Sequence, residues 1–199
     1  MLRSTASNEA SHSKRKFHRP LPGDVAWWLF LGAEFVTLCI FFGLFAVMRT
    51  SNSEAFRQAQ AQLNPTPAFI NALILITSGY FAARGVHAMQ NQTNRIGARW
   101  FHGAAALGIV FLVIKSWEYW IKLEQGISLS TSTFYFFYFF LTGFHYLHVW
   151  LGVGFLFWVA HRCRRGHSSE LQRHSESCAA FWHMLDLVWI ILFPLLYLS

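Results

Sequence analysis

The chain has 199 residues, of which 54% are apolar, 18% aromatic and only 13% charged, with a formal net charge of +7. That mix excludes an ordinary soluble domain of this length, and long buried helices in a large soluble core would need partner surface that so short a chain lacks. A pI near 9.7 would raise the question of nucleic acid in a soluble protein, whereas here the basic residues flank apolar runs and orient them in a bilayer.

The first 24 residues are polar and basic, with Arg3, Lys14, Arg15, Lys16 and Arg19, and read as a mobile cytoplasmic tail. Leu21 to Asp24 forms a stop before the first helix, with Asp24 a candidate N-cap. Residues 25–199 read as one transmembrane domain. Crossing about 30 Å of hydrocarbon at 1.5 Å per residue takes roughly 20 residues. Five runs reach that length: Val25 to Val47, Phe69 to Met89, Trp100 to Trp120, Phe134 to Ala160 and Cys178 to Leu198. The expected fold is therefore all-α, an integral membrane bundle of five transmembrane helices.

The connecting sequences set the orientation. The tail, the second loop (Arg95, Arg99) and the fourth (Arg162, Arg164, Arg165, Arg173) are basic, while the first and third hold only Arg49, Arg57 and Lys122. By the positive-inside rule the N-terminus is cytoplasmic and the C-terminus periplasmic. Asn64 to Pro67 and Gly126 to Thr133 read as outer turns. A cleaved signal peptide fits poorly, since the first apolar run is too long, contains Glu34 and lacks a small-residue cleavage site. Cys39 within a span, and Cys163 and Cys178 on the cytoplasmic side, do not suggest a disulfide framework.

Ionisable side chains inside a bilayer cost roughly 2.5–3.5 kcal/mol each on insertion scales, so they normally face protein or water. Glu34 lies near the middle of span one, and Lys115 and Glu118 lie toward the outer end of span three. His145 and His148 sit mid-way along span four, and His183 and Asp186 in the inner half of span five. His145 and His148, three residues apart, share a helix face at about 60°, as do His183 and Asp186. Counting along the helices puts Asp186, Glu34 and His148 at roughly 12, 14 and 18 Å from the inner boundary, depths at which they could form one layer.

Three readings of that layer are open: an interhelical hydrogen-bond network, a proton-handling site, or a bound metal of the di-iron type found in helix bundles. The metal reading lacks the usual Glu-x-x-His pairs, and Glu118 lies several ångströms nearer the outside. Lys115 pairs locally with Glu118, and Glu118 with Lys122 has the favourable i,i+4 order. Arg84 and His87 can snorkel to the headgroups, and the tryptophans suit an interfacial belt. A transporter would be expected to show an inverted repeat or paired broken spans, and neither is evident.

Four motifs carry a resemblance: L-F-L-G-A-E-F around Glu34, S-W-E-Y around Glu118, T-G-F-H-Y-L-H-V from Thr142 to Val149, and F-W-H-M-L-D-L-V-W from Phe181 to Trp189. With them the chain resembles cytochrome c oxidase subunit III of the heme-copper oxidase superfamily, from about Leu21 onward. It looks like the last five of that family's seven spans. The opening L-P-G-D and the stretch F-Y-F-F-Y-F-F-L-T-G-F-H look most like the NorE-type proteins associated with nitric oxide reductase, with quinol oxidase subunit III as the nearest competitor.

The resemblance implies an accessory subunit without a catalytic site or redox metal of its own, in the bacterial inner membrane. It would support assembly, stability or activity of a heme-bearing catalytic membrane subunit, most like nitric oxide reductase, alternatively a cytochrome c or quinol oxidase. The hemes and the non-heme iron or copper belong to that partner, and membrane phospholipid is a further expected ligand. Glu34, Glu118, His145, His148, His183 and Asp186 are the positions that match the motifs, implied to be a buried polar network.

Overall fold

The structure is a computed structural model that describes residues 25–165 and 168–198. The basic tail and the proposed Asp24 cap lie outside the described residues. Those residues form six helices and no strand: α1 (Val25–Ser51), α2 (Ser53–Ala61), α3 (Pro65–Gln90), α4 (Asn94–Glu124), α5 (Thr133–Cys163) and α6 (Ser169–Tyr197). All but α2 are long and apolar enough to span a bilayer.

The helices outrun the apolar segments because the backbone ladder continues until a cap can end it. Ser132 Oγ accepts from Tyr135 N (3.3 Å) and Ser168 Oγ from Leu171 N (3.0 Å). At the expected outer turn near Asn64, the turn is also a helix start. Asn64 Oδ1 accepts from Thr66 N (3.0 Å), and Pro65 takes the first helical position, where its missing N–H costs nothing. At the close of α4, Gly126 adopts φ 74° and lets Ile127 N reach Lys122 O (3.0 Å).

The expected first loop contains α2, nine residues with a single buried side chain, Phe56. Too short and polar to register as a span, α2 is held by aromatic packing of Phe56 on Phe45 and Phe134, with ring centroids 5.5 and 5.6 Å apart. Its outer side carries the exposed pair Arg57–Glu54.

Helices α3, α4, α5 and α6 close a four-helix ring in which α3 and α5 each touch both α4 and α6. Trp182 of α6 fills its centre, fully buried. A Cβ at Gly108 or Gly152 would stand 2.7 Å from the indole, so α4 and α5 each leave it a slot with no side chain. Trp182 Nε1 donates to Ser78 Oγ (3.0 Å), which donates to Ala104 O (2.8 Å), joining α6, α3 and α4. Helix α1 stands outside the ring against α5. Its buried side chains, Leu31, Leu38 and Phe45, recur every seven residues and make a narrow seam, while most of its remaining surface is exposed.

The start of α1, the α3–α4 loop and the α5–α6 loop share one end of the bundle, where Arg95, Arg99, Arg162, Arg164, Arg165 and Arg173 gather.

Candidate functional site

The densest polar cluster lies toward the end opposite the basic one. Lys115 Nζ of α4, fully buried, donates to Glu118 Oε2 (3.0 Å), Tyr197 Oη (2.9 Å) and Tyr138 Oη (3.2 Å). Tyr138 of α5 and Tyr197 of α6 each donate to Glu118 Oε1 at 2.6 Å. The ammonium also sits over the rings of Tyr119, Tyr138, Trp189 and Tyr197, 4.9–5.6 Å from their centroids. One ion pair thus ties three helices, with every polar atom engaged by a donor or acceptor of matching kind. Tyr119 extends it through Thr142 Oγ1 (2.8 Å) and on to Tyr138 O (2.6 Å).

The i,i+4 pairing of Glu118 with Lys122 does not form. Lys122 Nζ donates to Gln62 O (3.2 Å) at the α2–α3 turn, because the short i,i+3 reach of Lys115 already holds the carboxylate inside the bundle.

At mid-span the remaining five residues occupy three places. On the seam between α1 and α5, Glu34 Oε2 lies 3.4 Å from His148 Nε2. His148 Nδ1 is 2.9 Å from Phe144 O, an acceptor that requires the proton on Nδ1. On the α3–α6 edge, His183 Nδ1 lies 3.3 Å from Asp186 Oδ2. There α3 presents Gly79, and a Cβ at that position would fall on Asp186 Oδ2. Inside the ring His145 is 2% exposed, packed between Trp189 and Phe111 at centroid distances of 5.3 and 5.7 Å, and neither ring nitrogen has a hydrogen-bond partner among the described residues.

The expected single layer is therefore distributed. Glu118 belongs to the cluster at the far end, Glu34 pairs with His148, Asp186 with His183, and His145 stands by itself. Residues three apart on one helix share a face only within about 60°. That spread turns His145 into the ring and His148 out to α1. Among the described residues, no three His, Cys, Asp or Glu side chains converge in a group that could hold a metal ion.

The family model for cytochrome c oxidase subunit III matches residues 24–199. The chain belongs to the cytochrome c oxidase subunit III family. It is 37% identical to cytochrome c oxidase subunit 3 of Synechocystis over 175 residues, covering 85% of this chain and 72% of that one. With cytochrome c oxidase subunit 3 of Corynebacterium diphtheriae it shares 31% over 186 residues, 90% and 89% of the two chains. With a probable quinol oxidase subunit 3 of Staphylococcus saprophyticus it shares 22% over 193 residues, 96% of each.

For this member of the subunit III family, sequence reasoning missed the two tyrosines that complete the Lys115–Glu118 cluster. Tyr138 was one aromatic among many in the F-Y-F-F-Y-F-F run, and Tyr197 lies near the chain end. The signal available was a spacing: Lys115, Tyr138 and Tyr197 all lie in the stretches of their spans nearest the same end. Asn71 was missed as well; it is fully buried, and neither its Nδ2 nor its Oδ1 has a hydrogen-bond partner among the described residues. At the basic end a cleft of about 650 Å³ opens between α1, α5 and α6. Trp27, Trp150, Phe155 and Trp158 supply its apolar wall, and Arg173 and His174 its cationic side.

Proposed function

We propose that this chain is subunit III of a bacterial respiratory terminal oxidase, a non-catalytic subunit packed beside a heme-bearing membrane subunit whose assembly, stability and activity it supports. The observation that carries this reading is the subunit III match over residues 24–199, together with relatives named as subunit 3 of cytochrome c and quinol oxidases. The geometry is consistent with it, since most of the mid-membrane polar groups engage one another in pairs and clusters. On this reading the hemes and the copper or non-heme iron reside in the partner. The basic end faces the cytoplasm, placing the N-terminus inside and the C-terminus in the periplasm, and the membrane is the bacterial inner membrane. The Trp-lined cleft with Arg173 and His174 suits an anionic phospholipid, its chains against the indoles and its phosphate at the cations.

A second reading, an accessory subunit of nitric oxide reductase, rests on the L-P-G-D opening and the aromatic run before Thr142. Mild-detergent purification of the tagged chain from its own membranes tests both. The expected result is a copurifying heme-bearing membrane subunit, with oxygen consumption driven by cytochrome c or quinol. Nitric oxide consumption without oxygen consumption would favour the second reading. A chain that purifies without a heme subunit, or that binds heme in its isolated form, would refute both.

A further inference from the structure

We infer that the α3–α6 edge around His183 is the face on which the partner subunit docks, through a transmembrane helix that carries a hydrogen-bond donor in the inner half of its span. This rests on the reading of the chain as an accessory subunit and specifies the surface through which it acts.

His183 is the central residue of α6, and Gly79, beside it, lies near the middle of α3. Span five begins at Cys178, so His183 lies five residues, about 8 Å, inside the expected inner boundary of the hydrocarbon, yet 45% of its side chain is open at the bundle surface. Its neighbours on that surface are apolar and well exposed: Ile76 at 49%, Leu187 at 57% and Ile190 at 43%. An imidazole on a lipid-facing surface at this depth has no water to bind and cannot snorkel, because its side chain is too short. Asp186, with a side chain only 9% exposed, holds Nδ1 at 3.3 Å. With that oxygen accepting the Nδ1 proton, Nε2 is the acceptor, and ring geometry directs it away from Asp186 toward the open side. Gly79 makes the arrangement possible, since any side chain there would displace the carboxylate that orients the ring.

Hydrocarbon offers Nε2 nothing, whereas a Ser, Thr, Asn, Trp or Arg on a neighbouring helix would satisfy it. The other mid-membrane polar groups differ. Glu34 and His148 are 20% and 13% exposed and face each other across the α1–α5 seam, and His145 is enclosed. Helix α1 covers α5 and leaves the α3–α6 edge open for a partner.

The test places a photo-crosslinking amino acid at Ile76, Leu187 or Ile190, and at Val113 or Leu147 as controls on α4 and α5, in the tagged full chain in native membranes. Positions on the α3–α6 edge are expected to crosslink to the heme-bearing subunit and the controls are not. His183→Leu is expected to lower the yield of copurified heme subunit about three- to tenfold, the range of one interhelical hydrogen bond in a membrane. Its own melting temperature should stay within about 3 °C of the parent. His183→Gln, which keeps an acceptor, should restore most of the yield. Copurification with crosslinks from the control positions only, or lipid crosslinks alone from the α3–α6 edge, would overturn this inference and leave the accessory-subunit reading standing. If no heme subunit copurifies with the parent chain, that reading falls and the docking face with it.

Discussion

Glu118→Gln removes the charge on which the far end of the bundle converges. In the parent, Glu118 accepts from Lys115, Tyr138 and Tyr197, so the substitution leaves the fully buried Lys115 ammonium with tyrosine oxygens and a neutral amide. Removing one partner of a buried ion pair costs about 3–5 kcal/mol, because the remaining charge is uncompensated. For a chain of this length each kcal/mol moves the melting temperature by about 2–4 °C, so the expected fall is about 6–20 °C. Purified protein heated in mild detergent and followed by tryptophan fluorescence reads this directly. Lys115→Met combined with Glu118→Gln leaves no unpaired charge and should regain at least half of the loss, since apolar replacements of buried pairs are often neutral. A single variant melting within about 2 °C of the parent, or a double variant worse than either single one, would refute the account of this cluster.

Other substitutions probe the rest of the bundle. Gly79→Ala puts a Cβ on Asp186 Oδ2 and should cost about 1–3 kcal/mol, with recovery when Asp186→Ala is added; no recovery would show that the clash is elsewhere. Trp182→Phe keeps a ring in the slot between Gly108 and Gly152 but loses the N–H to Ser78, for an expected loss of about 0.5–1.5 kcal/mol in the same melting assay. His145→Leu removes two buried nitrogens that have no hydrogen-bond partner among the described residues, so the melting temperature should hold or rise; a fall above about 5 °C would contradict that assignment.

The five spans were legible because continuous hydrophobic length is a one-dimensional property: the first four expected runs lie within their helices, and the fifth passes the end of α6 by Leu198 alone. Depth was legible for the same reason: counting along the helices correctly set Glu118 nearer the end opposite the basic one. Angular position was not. The sequence places His145 and His148 on one face, yet one ring enters the core beside Trp189 while the other meets Glu34 of α1. Helix α2 escaped because nine polar-rich residues carry no span signal, and its one anchor, Phe56, acts only through Phe45 and Phe134 of other helices.

Hydropathy also hides how differently the spans are used. By composition α1 is the most uniformly apolar of the long helices, yet it is the least enclosed, since lipid covers an apolar side chain as well as protein does and exerts no pressure to bury it. Leu31, Leu38 and Phe45, with Trp27 on Phe155 and Phe41 on Phe140, seat α1 on the bundle through apolar contacts that carry no directional bond. The Glu34–His148 contact supplies what the seam lacks, a directional bond at one depth and one angle. A carboxylate on an otherwise apolar helix thus fixes the rotation of α1. By the same logic His183, the imidazole left open on the α3–α6 edge, is suited to fix the rotation of a helix that belongs to another chain.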